Sequence, residues 1–234
     1  MKRLCTLVLF LPLHAWGGGD FLKVSGKVVL VPAGRDIAAG ADFSNAVVWL
    51  EPVKPLDRDP RLPPRRFEIR QQHKRFDPHV LPVPAGSVVS FPNLDPFFHN
   101  VFSMFDGTRF DLGLYEAGAS HSVTFQRSGI CYIFCNIHPE MSAVVIVLDS
   151  PFFAVTNQSG AFSIDSVPPG PYRLLAWHER AKSENTQPRE VSIAADSALL
   201  EPIRLIVGSQ LMPPHKNKYG RDYDPSGAPA PYSK

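Results

Sequence analysis

The chain has 234 residues, of which 44% are hydrophobic and 20% are charged. This composition suits a folded protein of one or two domains and excludes a globally disordered chain. The net charge of +2 is too small to indicate a nucleic-acid-binding domain, and three cysteines are too few for a disulfide-based scaffold. The chain also contains 24 prolines, which argue against long helices and favour short strands joined by turns.

Residues 1–17 predict an export signal. Two basic residues precede an apolar run from Leu4 to Leu13, which has the length of a signal-peptide core. Ala15 and Gly17 supply small residues at positions −3 and −1 of a cleavage site. The run is shorter than the roughly 20 residues that span a bilayer, although a retained membrane anchor remains the alternative. We therefore expect a soluble periplasmic or secreted protein whose mature chain has a net charge near zero.

Short strand patterns fill most of the chain after this segment. Two runs rich in β-branched residues come first, and the proline-rich charged stretch 52–66 separates them from the rest as a loop or linker. Turn signals at 84–86, 157–160 and 167–170 punctuate the later runs. Residues 209–234 lack periodicity and predict a disordered tail. The expected strands are 27–31, 46–50, 67–70, 80–83, 87–91, 100–103, 120–125, 130–134, 143–148, 152–156, 161–165, 171–177, 190–194 and 203–207. This regular spacing predicts an all-β fold built from β-sandwiches.

The strongest functional signal is a Cys-x2-His-x2-Met motif directly after a predicted strand. It consists of Cys135, His138 and Met141, and His99 follows an earlier strand. Two imidazoles, a thiolate and a weak thioether are the ligands of a blue-copper site, where they serve both oxidation states with little movement. Pro139 stiffens the loop between two of them. Any one of these residues alone is more typical of core or surface, and zinc is the weaker metal candidate because thioether ligation is uncharacteristic of it.

Several further motifs accompany these residues between positions 67 and 148. They are Phe76-Asp77-Pro78, Val83-Pro84-Ala85-Gly86, Ser90-Phe91-Pro92-Asn93, His99-Asn100-Val101, Gly129 and the loop from Cys135 to Met141. With this set, residues 67–148 resemble a cupredoxin, the plastocyanin and amicyanin group of copper electron carriers. The two-residue gap before the methionine is similar to that of amicyanin. The resemblance covers about a third of the chain and implies a Greek-key β-sandwich.

The resemblance also implies a site and an activity. It implies one type 1 copper ion held by His99, Cys135, His138 and Met141, with electrons passing through a partly exposed His138. It further implies that Asn100 ties the two ligand loops together by hydrogen bonds. We expect no enzyme activity, since the sequence has no His-x-His pair of the kind that multicopper oxidases use.

Cys131 lies four residues before Cys135, so the two side chains point to the same face of one strand. A disulfide between them would remove the copper thiolate. Such positions also sit near the limit of about 7 Å for bridging. We expect Cys131 to be a small buried residue with a free thiol.

Residues 149–206 are similar to the carboxypeptidase regulatory-like, or transthyretin-like, β-sandwich module. The similarity rests on the segments 155–164 and 167–174, and two early segments, 24–28 and 46–50, resemble the start that the module lacks. Our hypothesis is an insertion: the cupredoxin sits inside a second small sandwich built from residues 21–54 and 149–208. The alternative is a cupredoxin with extra N-terminal strands and a truncated second module. Proteins of this two-module type resemble those labelled methylamine-utilisation proteins, although no residue here points to methylamine.

The other histidines carry weaker signals. Trp177-His178-Glu179 suggests a second metal site, but His178 more often caps a strand or packs at a domain contact in such a position. The remaining histidines lack partner spacing and are expected to be solvated: His73, His79, His121 and His215.

The predicted function is an exported carrier of single electrons that cycles between Cu(I) and Cu(II). Phe97, Phe98, Met104 and Pro139 are expected to form an apolar rim around His138. A redox partner, such as a cytochrome c, a dehydrogenase or a respiratory complex, would dock there transiently. The alternative is a protein that stores, senses or delivers copper. A third possibility, a sandwich protein that has lost copper, is disfavoured by the complete ligand set.

Overall fold

The computed structural model describes residues 21–34, 36–56, 65–104, 108–181, 187–195, 198–208 and 215–223. The predicted signal segment lies outside these residues, as does the middle of the proline-rich stretch. Within the described ranges the regular elements are β-strands, so the all-β prediction is confirmed. In this part of the chain no helix has the length and hydropathy of a membrane span.

The strands between residues 66 and 148 form one β-sandwich, which we call the central sandwich. Its strands are β3 (Arg66–Glu68), β4 (Arg70–Gln72), β5 (Arg75–Asp77), β6 (Val80–Pro84), β7 (Ser87–Pro92), β8 (His99–Ser103), β9 (Phe110–Tyr115), β10 (Ser120–Phe125), β11 (Gly129–Phe134) and β12 (Ser142–Leu148). One sheet has the order β10-β7-β3, and the facing sheet has the order β6-β12-β11-β8-β9. Side chains alternate in burial along β7, as expected for a strand with one face towards a core. The core between the sheets includes Val89, Phe91, Val101, Ile133 and Val145.

The remaining strands form a second unit, which we call the terminal sandwich. They are β1 (Leu22–Pro32), β2 (Val47–Pro52), β13 (Phe153–Val155), β14 (Ala161–Val167), β15 (Gly170–Trp177), β16 (Arg189–Ile193) and β17 (Ile203–Val207). Strand β1 pairs with β14 and, in parallel, with β17, while β2 pairs with β13 and β15. The core includes Val24, Val48, Ile164, Tyr172 and Leu205. Strands that precede the central sandwich therefore pair with strands that follow it, which is the pairing that the insertion hypothesis requires.

The turn before β14 depends on a glycine. Gly160 has a φ of 82°, and a Cβ on it would lie 2.1 Å from the carbonyl oxygen of Val28 in β1. The carboxamide of Asn157 accepts the backbone N–H groups of Ser159 and Ala161 at 3.0 Å, which closes the predicted turn 157–160. Only glycine allows this backbone to approach β1 so closely.

The two sandwiches meet through a buried apolar contact. It is formed by Val47, Val80, Val144, Ile146, Leu148 and Trp177. Beside it, His79 Nε2 lies 2.7 Å from Glu179 Oε2. The prediction that His79 is solvated is therefore wrong, because a carboxylate of the other sandwich pairs with it. His178 is also buried, and its Nδ1 accepts the backbone N–H of Arg180 at 3.2 Å. The carboxylate of the neighbouring Glu179 pairs with His79. Residues 177–179 therefore form part of the contact between the two sandwiches.

Residues 215–223 depart from the predicted disordered tail. They form a turn in which Asn217 Oδ1 accepts the backbone N–H groups of Tyr219 and Arg221 at 3.0 and 3.1 Å. The ring of His215 stacks on Phe134 with a centroid distance of 4.0 Å, so this histidine is not solvated either. The prediction used only local periodicity, whereas this segment is ordered by contacts with the distant central sandwich.

Candidate metal centre

Three of the four predicted ligands converge in the central sandwich. The Nδ1 atoms of His99 and His138 are 3.1 Å apart. Cys135 Sγ lies 3.9 Å from His99 Nδ1 and 3.6 Å from His138 Nδ1. Donor atoms bound to one metal ion at about 2.0–2.3 Å lie roughly 3–4 Å apart, so these atoms fit a shared ion. Among the described residues, this is the only group of three His, Cys or acidic side chains whose donor atoms converge in this way.

The strand pattern places each of these side chains. Strand β11 turns Cys131, Ile133 and Cys135 towards the core, and Cys135 follows its last residue. His99 begins β8, which pairs with β11, so the two candidate ligands enter the pocket from neighbouring strands. Both side chains are buried, whereas that of His138 is half-buried. The pocket therefore opens towards solvent on the His138 side.

Two backbone hydrogen bonds close the loop between Cys135 and Met141. The N–H of Cys135 donates to the carbonyl oxygen of Met141 at 3.2 Å, and the N–H of Met141 donates to that of His138 at 3.0 Å. Met141 itself is fully buried and belongs to the same apolar cluster as Cys135. The short spacing of the motif thus produces a compact loop that keeps Cys135, His138 and Met141 close together.

Asp95 holds His99 in one tautomer. His99 Nε2 lies 2.8 Å from Asp95 Oδ2, and the carboxylate also accepts the backbone N–H groups of His73 and Lys74 at 2.7 and 2.9 Å. Burial opposes ionisation of Asp95, but these hydrogen bonds prevail and lower its pKa. An ionised carboxylate only accepts, so Nε2 carries the proton and Nδ1 offers a lone pair to the pocket.

The pocket also favours neutral imidazoles. Burial is the main cause that lowers the pKa of both His99 and His138, and the nearby His99 ring lowers the pKa of His138 further. Burial raises the pKa of the Cys135 thiol, although the backbone N–H groups of Asn100, Ile137 and His138 partly offset this. Two neutral histidines and a thiol aimed at by three N–H groups are suited to a metal cation, which displaces the thiol proton.

Asn100 forms hydrogen bonds with both its side chain and its backbone. Its side-chain N–H groups donate to Asp111 Oδ1 and to the carbonyl oxygen of Gly113, both at 2.7 Å and both on β9. Its link to the other ligand loop is the backbone N–H, which points at Cys135 Sγ. The side chain therefore secures the strand next to His99, and the main chain contacts the sulfur.

Cys131 is separate from this centre. Neither it nor Cys135 forms a disulfide. Its Sγ lies 3.1 Å from the hydroxyl of Ser103, and burial raises its pKa to about 11 despite that contact. Cys131 is a buried free thiol, as expected from its position on the strand.

Part of the predicted apolar rim lies beside the pocket. The ring of Phe97 contacts those of His99 and His138 edge-on, with centroid distances of 5.2 and 5.8 Å. Phe98 and Met104 are 50% and 43% exposed. Pro139 is also exposed. The contact of Phe97 with His138 places an apolar surface at the side where the pocket approaches solvent.

Sequence reasoning did not identify Asp95 or Tyr223. Asp95 stands four residues before His99, and an acidic residue so close to a candidate ligand is a usable signal. Tyr223, whose hydroxyl donates to the carbonyl oxygen of Cys135 at 2.9 Å, lies 88 positions along the chain. No local pattern marks it.

Comparison with known proteins gives partial structural similarities. No protein-family model matches the chain, and no curated protein matches it either. A copper-containing nitrite reductase from Thermus scotoductus is similar at 25% identity and a TM-score of 0.36, over 38% of this chain and 24% of that one. A purple cupredoxin from Nitrosopumilus maritimus is similar at 22% identity and a TM-score of 0.32, over 35% and 99%. A Cu(I) amicyanin variant is similar at 20% identity and a TM-score of 0.34, over 36% and 82%. The chain thus spans about a quarter of the length of the nitrite reductase that it matches.

Proposed function

We propose that the protein binds one type 1 copper ion and carries single electrons between redox proteins. The observation that carries this proposal is the convergence of His99 Nδ1, Cys135 Sγ and His138 Nδ1 within 4.8 Å of one another. A thiolate with two imidazoles favours copper over hard cations, and a buried methionine on the same loop fits a weak fourth ligand. When bound, copper supplies a one-electron couple between Cu(I) and Cu(II).

The side chains divide the work of such a site. His99, Cys135 and Met141 are fully buried and exclude water from the pocket. The Asp95 carboxylate and the closed loop fix the directions of the ligands before metal enters, so little rearrangement accompanies a change of charge. The half-buried ring of His138 is the group through which the electron leaves, because it alone of the ligands reaches towards solvent.

The proposed partner is a redox protein that docks on an apolar surface near His138. Phe97 provides partly exposed aromatic area there, and the adjacent Phe98 is 50% exposed. The near-neutral charge of the processed chain disfavours strong electrostatic steering. A cytochrome c, a dehydrogenase or a respiratory complex fits this description. We also propose that residues 1–17 direct export and that the protein is not itself an enzyme.

An absorption spectrum of the Cu(II)-loaded protein tests the metal site. We expect an intense blue or green charge-transfer band from the Cys135 thiolate, and its loss in Cys135→Ser. Cys131→Ser is the matched control, because it makes the same change on β11, four residues before Cys135 and outside the pocket. A colourless Cu(II) complex of the unaltered protein would refute the proposal, as would a band that depends on Cys131.

A further inference from the structure

The segment from His215 to Tyr223, which we call the C-terminal strap, lies against the central sandwich beside the candidate metal centre. Its first residue stacks on Phe134, with ring planes 17° apart. The Phe134 ring in turn packs against Phe102, at a centroid distance of 5.9 Å. Phe134 immediately precedes Cys135, so the strap covers the outer side of the strand end that presents the thiol.

Two hydrogen bonds join the strap to the loop between Cys135 and Met141. The Tyr223 hydroxyl donates to the carbonyl oxygen of Cys135 at 2.9 Å, and the Lys218 backbone N–H donates to Asn136 Oδ1 at 3.0 Å. Cys135 and Asn136 are both buried. The strap therefore supplies partners to polar groups of the loop that bulk water reaches poorly.

The strap also reaches β9, which pairs with the strand that begins at His99. Lys218 Nζ lies 2.7 Å from Asp111 Oδ2 on β9, and this lysine side chain is only 12% exposed. The other carboxylate oxygen of Asp111 accepts from Asn100 at 2.7 Å, and Asn100 follows His99. Lys218 thus bonds both to Asn136, which follows Cys135, and to the Asp111 carboxylate that Asn100 also contacts.

The strap also contains hydrogen bonds of its own. The backbone N–H of Asn217 donates to the carbonyl oxygen of Arg221, and the carbonyl oxygen of Asn217 accepts from the N–H of Gly220, both at 2.9 Å. An ion pair between Lys216 and Asp222, at 2.6 Å, spans the same turn. A turn that is already formed loses less conformational entropy when it docks, which favours a persistent contact.

We propose that the C-terminal strap is part of the copper site and that Tyr223 is its positioning residue. By holding the Cys135 carbonyl, Tyr223 fixes the main chain from which the thiol projects and keeps the loop closed over the pocket. The inference rests on the proposed copper function for its role. The positioning itself is a property of the metal-free protein and can be measured there.

The first test uses the reactivity of the Cys135 thiol without metal. The full chain carries Cys5→Ala and Cys131→Ala, so of its three cysteines only the buried Cys135 remains to react with iodoacetamide. We expect Tyr223→Phe to raise the alkylation rate about 3- to 10-fold, since the loop opens more often without the hydroxyl contact. Tyr219→Phe is the matched control: it removes the same hydroxyl from a 53% exposed ring of the same segment and leaves the rate unchanged.

The second test uses the copper-loaded protein. We expect Tyr223→Phe to release copper to a chelator about 10-fold faster and to shift the charge-transfer band, while Tyr219→Phe does neither. Equal alkylation rates in Tyr223→Phe and the unaltered chain would overturn the positioning role. If Tyr223→Phe is alkylated faster but neither it nor the unaltered chain binds copper, the copper function is refuted and the positioning role of the strap stands.

Hydrogen exchange guards against a folding artefact. If Tyr223→Phe opens the loop locally, exchange rises at the amides of Asn136 and Ile137 and stays unchanged along β7 and β12. Faster exchange throughout the central sandwich would contradict the inference, because the hydroxyl would then support the whole domain and not the ligand loop.

Discussion

Replacing Asp95 by asparagine perturbs the pocket with almost no change of shape. The carboxylate is 4% exposed and accepts from His99 Nε2 and from the backbone N–H groups of His73 and Lys74, at 2.7–2.9 Å. It therefore ties the turn between β4 and β5 to the buried histidine. Asparagine retains one acceptor oxygen but directs an NH2 group at donors that the second oxygen accepts.

The size of the effect follows from these contacts. A hydrogen bond to a charged group contributes about 1.5–3 kcal/mol, and Asp95→Asn weakens all three while leaving one or two donors without an acceptor. We expect the free energy of unfolding of the metal-free protein to fall by about 2–4 kcal/mol. The amide NH2 also favours the His99 tautomer with the proton on Nδ1, so copper affinity falls about 10- to 100-fold.

Urea unfolding and a copper competition titration measure the two effects. Asp77→Asn is the control, because it makes the same substitution on β5, where the carboxylate pairs with Arg70 at an exposed position. Exposed ion pairs contribute about 0–1 kcal/mol, so this variant should stay within that range and keep its copper affinity. If Asp95→Asn were no more damaging than Asp77→Asn, the argument that Asp95 orients His99 would be wrong.

Two further predictions concern the terminal sandwich and its contact. The hydrogen bond from Glu179 raises the pKa of His79 against the opposing effect of burial, so the pair stabilises the fold fully below the ordinary pKa of about 6.5 and loses this contribution as pH rises through the raised pKa. Glu179→Gln should therefore be less stable in urea unfolding than the unaltered protein at pH 6, and this difference in the free energy of unfolding should shrink towards pH 9. A difference that does not change with pH would contradict the pairing. Gly160→Ala should destabilise by clearly more than Gly118→Ala, which has a similar φ of 81° but open space, because the new Cβ would meet Val28. Gly118→Ala costs only the left-handed backbone term of about 1–2 kcal/mol, and equal losses in urea unfolding would refute the close approach.

The loop of the proposed metal site could be recognised in the sequence because its signal is local. Cys135, His138 and Met141 lie within seven consecutive residues. The alternation along the preceding strand shows that Cys135 points to the core face. The alternation of apolar and polar residues with a period of two likewise predicts the all-β class. These features depend on neighbours in sequence, which a single chain displays directly.

The features that the sequence did not reveal depend on distant partners. His79 pairs with a carboxylate 100 positions away, and Tyr223 bonds to Cys135 across 88 positions. Neither pairing leaves a local periodicity, so the sequence alone predicts a solvated histidine and a disordered tail. The parallel pairing of β1 with β17 is equally remote, and only motifs resembling the two ends of one module pointed to it.

Spectroelectrochemical titration of the copper-loaded protein tests the central claim most directly. The account predicts that the Cys135 charge-transfer band bleaches on one-electron reduction and returns fully on reoxidation, through repeated cycles without loss of copper. A band that fails to return, together with very tight retention of Cu(I), would contradict the electron-carrier role and favour a protein that stores or delivers copper.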